Sequence, residues 1–251
     1  MTVEFPLLIF VISFFGLWLS VTLGAVIRVR QGPLEKDERN DFNVIQGATL
    51  TLLGLIVGFS FSMALSRYDQ RRNYEQVEAD AISTEYLRVD LLSDSRATAT
   101  VREVLKRFID QRIRFYESTD KTQLVEINRD TAQLQKELWS AVRAEAAKQP
   151  TPVTALVVSG MNDVLSVQGN TQAAWWNRVP FGDWGMMGMI AVLAGAIIGN
   201  GTRNKRTVRL PIFPLVIAVA FFFIADLESP YGGFFIRVSP KDLVSLSQSL
   251  K

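Results

Sequence analysis

The chain offers few side chains that could do chemistry, because it contains no His and no Cys. That composition excludes a Ser-His triad, a Cys nucleophile, a disulfide and any metal site with His or Cys ligands. Carboxylates, Lys, Ser and Tyr remain, and no pair of them is spaced as a nucleophile and its base. We therefore expect that the protein is not an enzyme and carries no cofactor.

Carboxylates are concentrated in one stretch that follows a group of arginines. The stretch contains Glu75, Glu78, Asp80 and Glu85, and the arginines before it are Arg67, Arg71 and Arg72. On a helix, Arg71 and Arg72 have the spacing of surface ion pairs with Glu75. Glu78 and Glu85 share a helix face, but a hard cation needs several converging oxygens. No other ligand completes such a site, so no metal site is expected.

The charges are balanced in number and uneven in position. Lys and Arg number 27 and Asp and Glu number 25, so the net charge is only +2. A nucleic-acid-binding surface needs a larger basic excess, and nucleic acid is not an expected partner.

Four stretches carry no charge, at residues 5–27, 42–65, 184–202 and 210–225. Because about 20 apolar residues cross a lipid bilayer, we predict four transmembrane helices, the last of them the shortest.

The four predicted spans form two hairpins around a polar region. We place the first hairpin at residues 1–65, a helical extramembrane domain at 66–182, the second hairpin at 183–227, and a turn with a short helix at 228–251. The polar region is predicted to be helical, because its apolar positions step by three to five residues, at Val77, Ala81, Tyr86, Val89 and Leu92. Capping signals divide the later helices: Ser93–Ser95, Ser118–Asp120, Thr151 with Pro152, and Ser239 with Pro240. The predicted fold class is an all-α membrane protein.

The second span carries two neighbouring stripes. Gly54, Gly58 and Ser62 have the small-xxx-small spacing that lets helix backbones approach closely. Leu55 and Phe59 belong to the adjacent bulky stripe. The pattern fits simple helix packing, or packing of several copies around an axis. In the second case Thr51, Leu55 and Phe59 would point inward as a hydrophobic constriction.

Charged residues flank the spans at one predicted membrane face. Arg67 follows the second span and Asp226 follows the fourth. If the hairpins run as predicted, the two residues lie on the same side, and we predict a structural ion pair between them. The simplest alternative for Asp226 and Glu228 is a helix end with two exposed acids. Pro230 and the glycines after it predict a turn.

Two of these segments resemble the bestrophins. Gly58 and Phe59, followed after eight residues by Arg67 and an aromatic residue, resemble the exit of the bestrophin pore helix. Residues 228–232, Glu-Ser-Pro-Tyr-Gly, resemble the Pro-Phe-Gly segment of that family. The plan of four spans with a large helical insert also matches. The chain is most similar to the bacterial bestrophin-like domain family, over about residues 42–92 and 226–246.

The resemblance implies a pentameric ion channel in the lipid bilayer that passes small anions such as chloride. It would place Thr51, Leu55 and Phe59 at a hydrophobic neck. It also implies the bacterial inner membrane, with the helical domain and both termini in the cytoplasm. The acidic run that binds calcium in animal bestrophins is reduced here to Asp226, Glu228 and Asp242, so calcium gating is not expected.

The residues alone leave orientation and function open. Lys and Arg beside the spans are almost equally divided between the two sides, with a slight lean towards an external domain. A non-conducting membrane scaffold or sensor, whose helical domain binds a partner, is the alternative function. A proton-driven motor subunit is disfavoured, because no carboxylate lies inside a predicted span. The oligomeric state in detergent separates a channel from a monomeric scaffold.

Overall fold

The computed structural model describes residues 6–31, 36–202, 211–229, 231 and 233–250. Every regular element within those ranges is helical. The α-helices are α1 Pro6–Gln31, α2 Lys36–Arg88, α3 Ser95–Glu117, α4 Lys121–Lys148, α5 Pro152–Trp176, α6 Phe181–Gly201, α7 Ile212–Glu228 and α8 Lys241–Ser249. A 3₁₀ turn at Val89–Leu91 follows α2. The predicted all-helical class is confirmed.

Three helical stretches of the described chain are long and apolar enough to cross a membrane. They are Pro6–Arg30, Glu38–Leu91 and Pro152–Gly201. Helix α7 has 17 residues, fewer than the roughly 20 that usually cross a bilayer. The fourth span therefore stays a prediction. Residues 5 and 210, where two predicted spans begin, lie outside the described residues, as does the predicted loop 203–209.

The chain divides into two compact units. The first, which we call the membrane unit, contains the chain up to Arg67 and the segment Arg178–Ile236. The second, the helical unit, contains Tyr68–Asn177 and the segment that begins at Arg237. Helix α2 contributes its first part to the membrane unit and its last part to the helical unit. Each unit is thus built from separated segments of the chain.

In the membrane unit, α1 packs against α6 and α7. Two glycines permit the close approach of α1 and α6. A Cβ atom at Gly24 would overlap the carbonyl oxygen of Ala196, and one at Gly199 would overlap the carbonyl oxygen of Val21. The buried Ser20 hydroxyl donates to the carbonyl oxygen of Val192 at 2.6 Å. Backbone contact and one hydrogen bond therefore fix the pairing of these two helices.

In the helical unit, the predicted caps begin the predicted helices. Asp94 accepts a hydrogen bond from the backbone N–H of Arg96, and Asp120 accepts one from Thr122. Thr151 and Thr154 form a capping box, with a proline at the start of α5. The apolar faces of these helices form the core of this unit. Its fully buried side chains include Leu105, Phe108, Ile109, Leu138, Val157 and Met161.

Helix α8 begins differently from the prediction. The sequence predicts Ser239 as its cap, but the N-cap residue is Pro240, whose side chain makes no capping hydrogen bond. The carboxylate of Glu75 on α2 performs this role instead. Its Oε1 accepts the backbone N–H groups of Asp242 and Leu243, each at 3.0 Å. Helix α8 is thereby attached to the segment of α2 in the same unit.

Candidate functional site

The candidate site is the segment of α2 that belongs to the membrane unit. One stripe of this segment is buried against its own chain, with Leu53 1%, Ser60 3% and Ala64 0% exposed. Leu55 and Phe59 are 52% and 62% exposed. At about 100° per residue, Leu55 lies about 200° around the helix from Leu53. The most exposed bulky face therefore lies opposite the buried stripe.

Thr51 lies one turn before Leu55 on the same exposed face. Its hydroxyl donates to the carbonyl oxygen of Gly47 at 2.9 Å, within the helix. That bond satisfies the hydroxyl locally, which makes Thr51 less polar than an unpaired hydroxyl would be. The three predicted constriction residues, Thr51, Leu55 and Phe59, thus share one exposed and mostly apolar face.

The small-residue stripe flanks this face. A Cβ atom built at Gly54 or Gly58 would meet no neighbouring atom within 4 Å among the described residues. Ser62 is also exposed. These residues do not pack against the described helices of their own chain, in contrast to Gly24 and Gly199. The stripe is therefore available to another molecule.

Arg67, the last residue of α2 in the membrane unit, forms an ion pair with Glu228. Its Nη1 lies 3.3 Å from both carboxylate oxygens of Glu228. The arginine side chain is 20% exposed and the glutamate side chain 3% exposed. The carboxylate also accepts the backbone N–H of Val179 at 2.9 Å. Glu228 therefore connects the end of α7, the segment before α6 and α2.

The predicted Arg67–Asp226 pair is wrong. Asp226 is fully buried, and its carboxylate accepts the backbone N–H groups of Phe234, Phe235 and Ile236. Residues two apart on a helix point to nearly opposite sides, so Glu228 faces Arg67 while Asp226 faces the following turn. The alternative of two exposed acids is also wrong.

Three of the predicted surface carboxylates on α2, Glu75, Glu78 and Glu85, are buried inside the helical unit, whereas Asp80 is exposed. The buried stripe of α2 contains Arg71, Glu75, Glu78, Ile82, Glu85 and then Val89 of the 3₁₀ turn. These positions repeat at alternating steps of four and three, which is the spacing of one helix face. Of the apolar positions with helical spacing, Val89 and Leu92 are buried, whereas Val77 is 38% exposed. The 4-3 spacing of the charged residues with Ile82 and Val89 was the signal that could have identified the buried stripe.

Glu78 is held by a set of donors inside the helical unit. Arg112 Nε donates to Glu78 Oε1 at 2.5 Å, and the Tyr116 hydroxyl donates to Oε2 at 3.0 Å. The side chains of Glu78 and Arg112 are fully buried. Burial, with the nearby Glu78 carboxylate, raises the pKa of Tyr116 well above its usual range, so its hydroxyl stays a donor. This arrangement gives Glu78 a structural role.

The comparisons with known proteins agree with this architecture. Residues 10–243 match the Bestrophin-like domain family. A crystal structure of a bacterial bestrophin homolog variant from Klebsiella pneumoniae is similar with a TM-score of 0.67 at 15% identity, over 95% of this chain and 97% of that chain. A second variant of that homolog gives a TM-score of 0.68 at 16% identity, over 94% of this chain and 96% of that chain. A search of curated proteins gave no match.

This chain is a helical membrane protein, and its similarity to these structures shows that it has the bestrophin-like fold. The family match covers most of the chain, and the protein belongs to the Bestrophin-like domain family.

Proposed function

We propose that this protein is an oligomeric ion channel, selective for small anions such as chloride, and not an enzyme. In this proposal four transmembrane helices form two hairpins, and copies of α2 surround the pore. Thr51, Leu55 and Phe59 form a hydrophobic neck. Family membership supports the class of function, and the fold shared with bacterial bestrophin homologs supports the arrangement.

The observation that carries the proposal is the uncovered apolar face of α2. A helix that only anchors a domain could expose such a face to lipid. Here, however, the exposed face lies opposite the buried stripe and beside two glycines, at which an added Cβ atom would meet none of the described residues within 4 Å. Several copies of α2 around an axis would cover the glycines and direct Leu55 and Phe59 inward. Stacked apolar rings disfavour water, and a dry constriction resists the passage of ions.

The small-residue stripe supports a second copy of this chain as its occupant. Gly54, Gly58 and Ser62 would let neighbouring α2 helices approach closely. A pentamer follows from the bestrophin resemblance. Residues 42–65 contain no Asp or Glu, so copies of this segment around a pore would not form the acidic ring that favours cations. The pore wall is therefore compatible with anions.

Reconstitution into liposomes tests the proposal. The wild-type protein should pass chloride faster than potassium. Phe59→Ala should raise chloride flux by roughly tenfold, since each 1.4 kcal/mol removed from a barrier gives about a tenfold change in rate. The oligomer, measured by light scattering in detergent, should stay unchanged.

Phe61→Ala is the matched control, because Phe61 is also exposed, at 41%, but lies about 160° around the helix from Phe59. Its flux should equal that of the wild type. Absence of chloride and potassium flux both in liposomes that contain the wild type and in those that contain Phe59→Ala, while the oligomer is present, would contradict the channel. That result would favour the non-conducting scaffold or sensor.

A further inference from the structure

Glu85 is an unusual carboxylate in the helical unit. It is 0% exposed, yet neither of its side-chain oxygens has a hydrogen-bond partner among the residues that the structure describes. Glu78, two turns earlier on the same face, has Arg112, Tyr116 and Thr171 around it. Burying a carboxylate without donors strongly disfavours its charged form. Glu85 therefore differs from Glu78 in being stable inside this unit only when it is protonated.

The position of Glu85 against α5 depends on a glycine. A Cβ atom at Gly160 would overlap Oε2 of Glu85 and would lie 2.6 Å from Nη1 of Arg88. The carboxyl group thus occupies the space that a side chain at residue 160 would fill. Any repulsion or hydration of Glu85 acts directly on the contact between α2 and α5.

The charged groups that act on Glu85 within the described part of the chain are Arg88 and Asp163. On its own helix the cation is Arg88, which lies 3.9 Å from Asp163 of α5. Asp90 of the 3₁₀ turn and Arg102 of α3 pair with each other at 2.5 Å. Arg88 favours the charged form of Glu85 and Asp163 opposes it. Burial is the largest effect and raises the pKa of Glu85 to about 8.

We propose that Glu85 and Gly160 form a pH-sensitive joint between α2 and α5, closed while the Glu85 carboxyl holds its proton and loosened when it ionises. At neutral pH the joint is closed. In mildly alkaline conditions the carboxylate needs water or a donor, and neither fits while Gly160 lies against it. When α5 moves away from α2 at Gly160, it leaves the space that the water or donor needs.

Thiol labelling tests the joint, and the absence of native Cys makes each introduced thiol unique. Val157→Cys places a thiol at a fully buried position of α5, one turn before Gly160, and Val153→Cys places one at a position that is 45% exposed. In the full-length protein, the labelling rate at residue 157 is divided by the rate at residue 153. This ratio should rise by up to about tenfold per pH unit from pH 6 and level off above pH 8, because opening releases the proton.

Glu85→Gln should remove this rise, since a neutral amide does not titrate. Glu103→Gln, which changes an exposed carboxylate on α3, should keep it. A ratio that stays flat in the wild type, or that rises equally in Glu85→Gln, would overturn the proposal. Infrared spectroscopy of the wild type is independent of any variant. A protonated carboxyl signal should still be strong at pH 7.5, fall to about half near pH 8 and be nearly lost about one pH unit higher, and its absence at pH 7.5 would also overturn the joint.

Discussion

At the scale of single residues, Arg67 pairs with Glu228, which lies two positions after the predicted partner, Asp226. Glu228 is almost fully buried, whereas Arg67 keeps some exposure to solvent. The pair therefore contributes less than the roughly 3–5 kcal/mol lost when a fully buried pair is broken. It contributes more than an exposed pair, for which the usual value is about 0–1 kcal/mol.

We expect Arg67→Ala and Glu228→Ala each to lower the free energy of unfolding by about 1–3 kcal/mol. The double variant should lose less than the sum, because the two changes remove one shared contact. Asp226→Ala, which removes the acceptor for Phe234, Phe235 and Ile236, should be additive with Arg67→Ala. Denaturant unfolding of the purified protein gives these values. Additive losses for Arg67→Ala and Glu228→Ala would show that the pair does not couple.

Glu75 gives a second prediction at this scale. Its pKa is raised to about 7, mainly by burial, while its hydrogen bond from the Leu243 N–H acts in the opposite direction. Between about pH 4.5 and 7 the folded protein holds a proton that the unfolded chain releases. The stability from this group is thus full below pH 4.5 and is lost as the pH rises to 7.

Glu75→Gln should therefore remove part of the pH dependence of stability between pH 4.5 and 7, on the order of 1–3 kcal/mol. Unfolding midpoints measured across this range give the slope, with Glu103→Gln as the control for an exposed carboxylate. A slope unchanged in Glu75→Gln would mean that Glu75 has no raised pKa. The amide that this substitution introduces keeps one acceptor oxygen for α8, so the helix should stay folded.

At the scale of elements, local signals were sufficient for the starts of α3, α4 and α5 and insufficient for α8. Asp94, Asp120 and Thr151 act through hydrogen bonds within three residues, and their sequence neighbours reveal them. The cap of α8 is Glu75, more than 160 residues away in sequence, so local pattern could not reveal it. The same limit applies to Asp226, whose partners lie in the turn after α7 rather than on α2.

The α1–α6 contact provides a test of element packing. Gly24→Ala and Gly199→Ala should each destabilise the protein by about 1–3 kcal/mol, because the added methyl group overlaps backbone rather than a flexible side chain. Gly16→Ala on α1 is the matched control, since a Cβ there meets no atom of the described chain within 4 Å. Thermal unfolding in detergent measures all three. Equal midpoints for the Gly16 and Gly24 variants would contradict the close approach.

At the scale of the whole molecule, long uncharged stretches were enough to predict a helical membrane protein, because no other fold buries them so simply. The candidate α2 stripes were also visible in sequence. Whether another copy covers them depends on other chains and not on local spacing. The buried face of α2 in the helical unit escaped prediction, because charged residues occupy most of it and apolar periodicity was the guide.

Orientation belongs to this scale as well. With the helical unit in the cytoplasm, Thr122→Cys should react with a membrane-impermeant thiol reagent only after the cells are permeabilised. Asn40→Cys, at the other end of the second span, should react in intact cells. Both positions are exposed, so access to the reagent depends on the membrane. Labelling of Thr122→Cys in intact cells would place the helical unit outside.

The division of the helical unit between Tyr68–Asn177 and the segment from Arg237 onward also sets an order of events during synthesis. The ribosome makes the first segment early, but α6 and α7 emerge before the second. Glu75 is therefore in place, without the α8 N–H groups it will accept, while two further hydrophobic helices are translated. The helical unit can be completed only after those helices have left the ribosome. A newly made chain consequently has to maintain a partly built helical unit throughout the synthesis of α6 and α7.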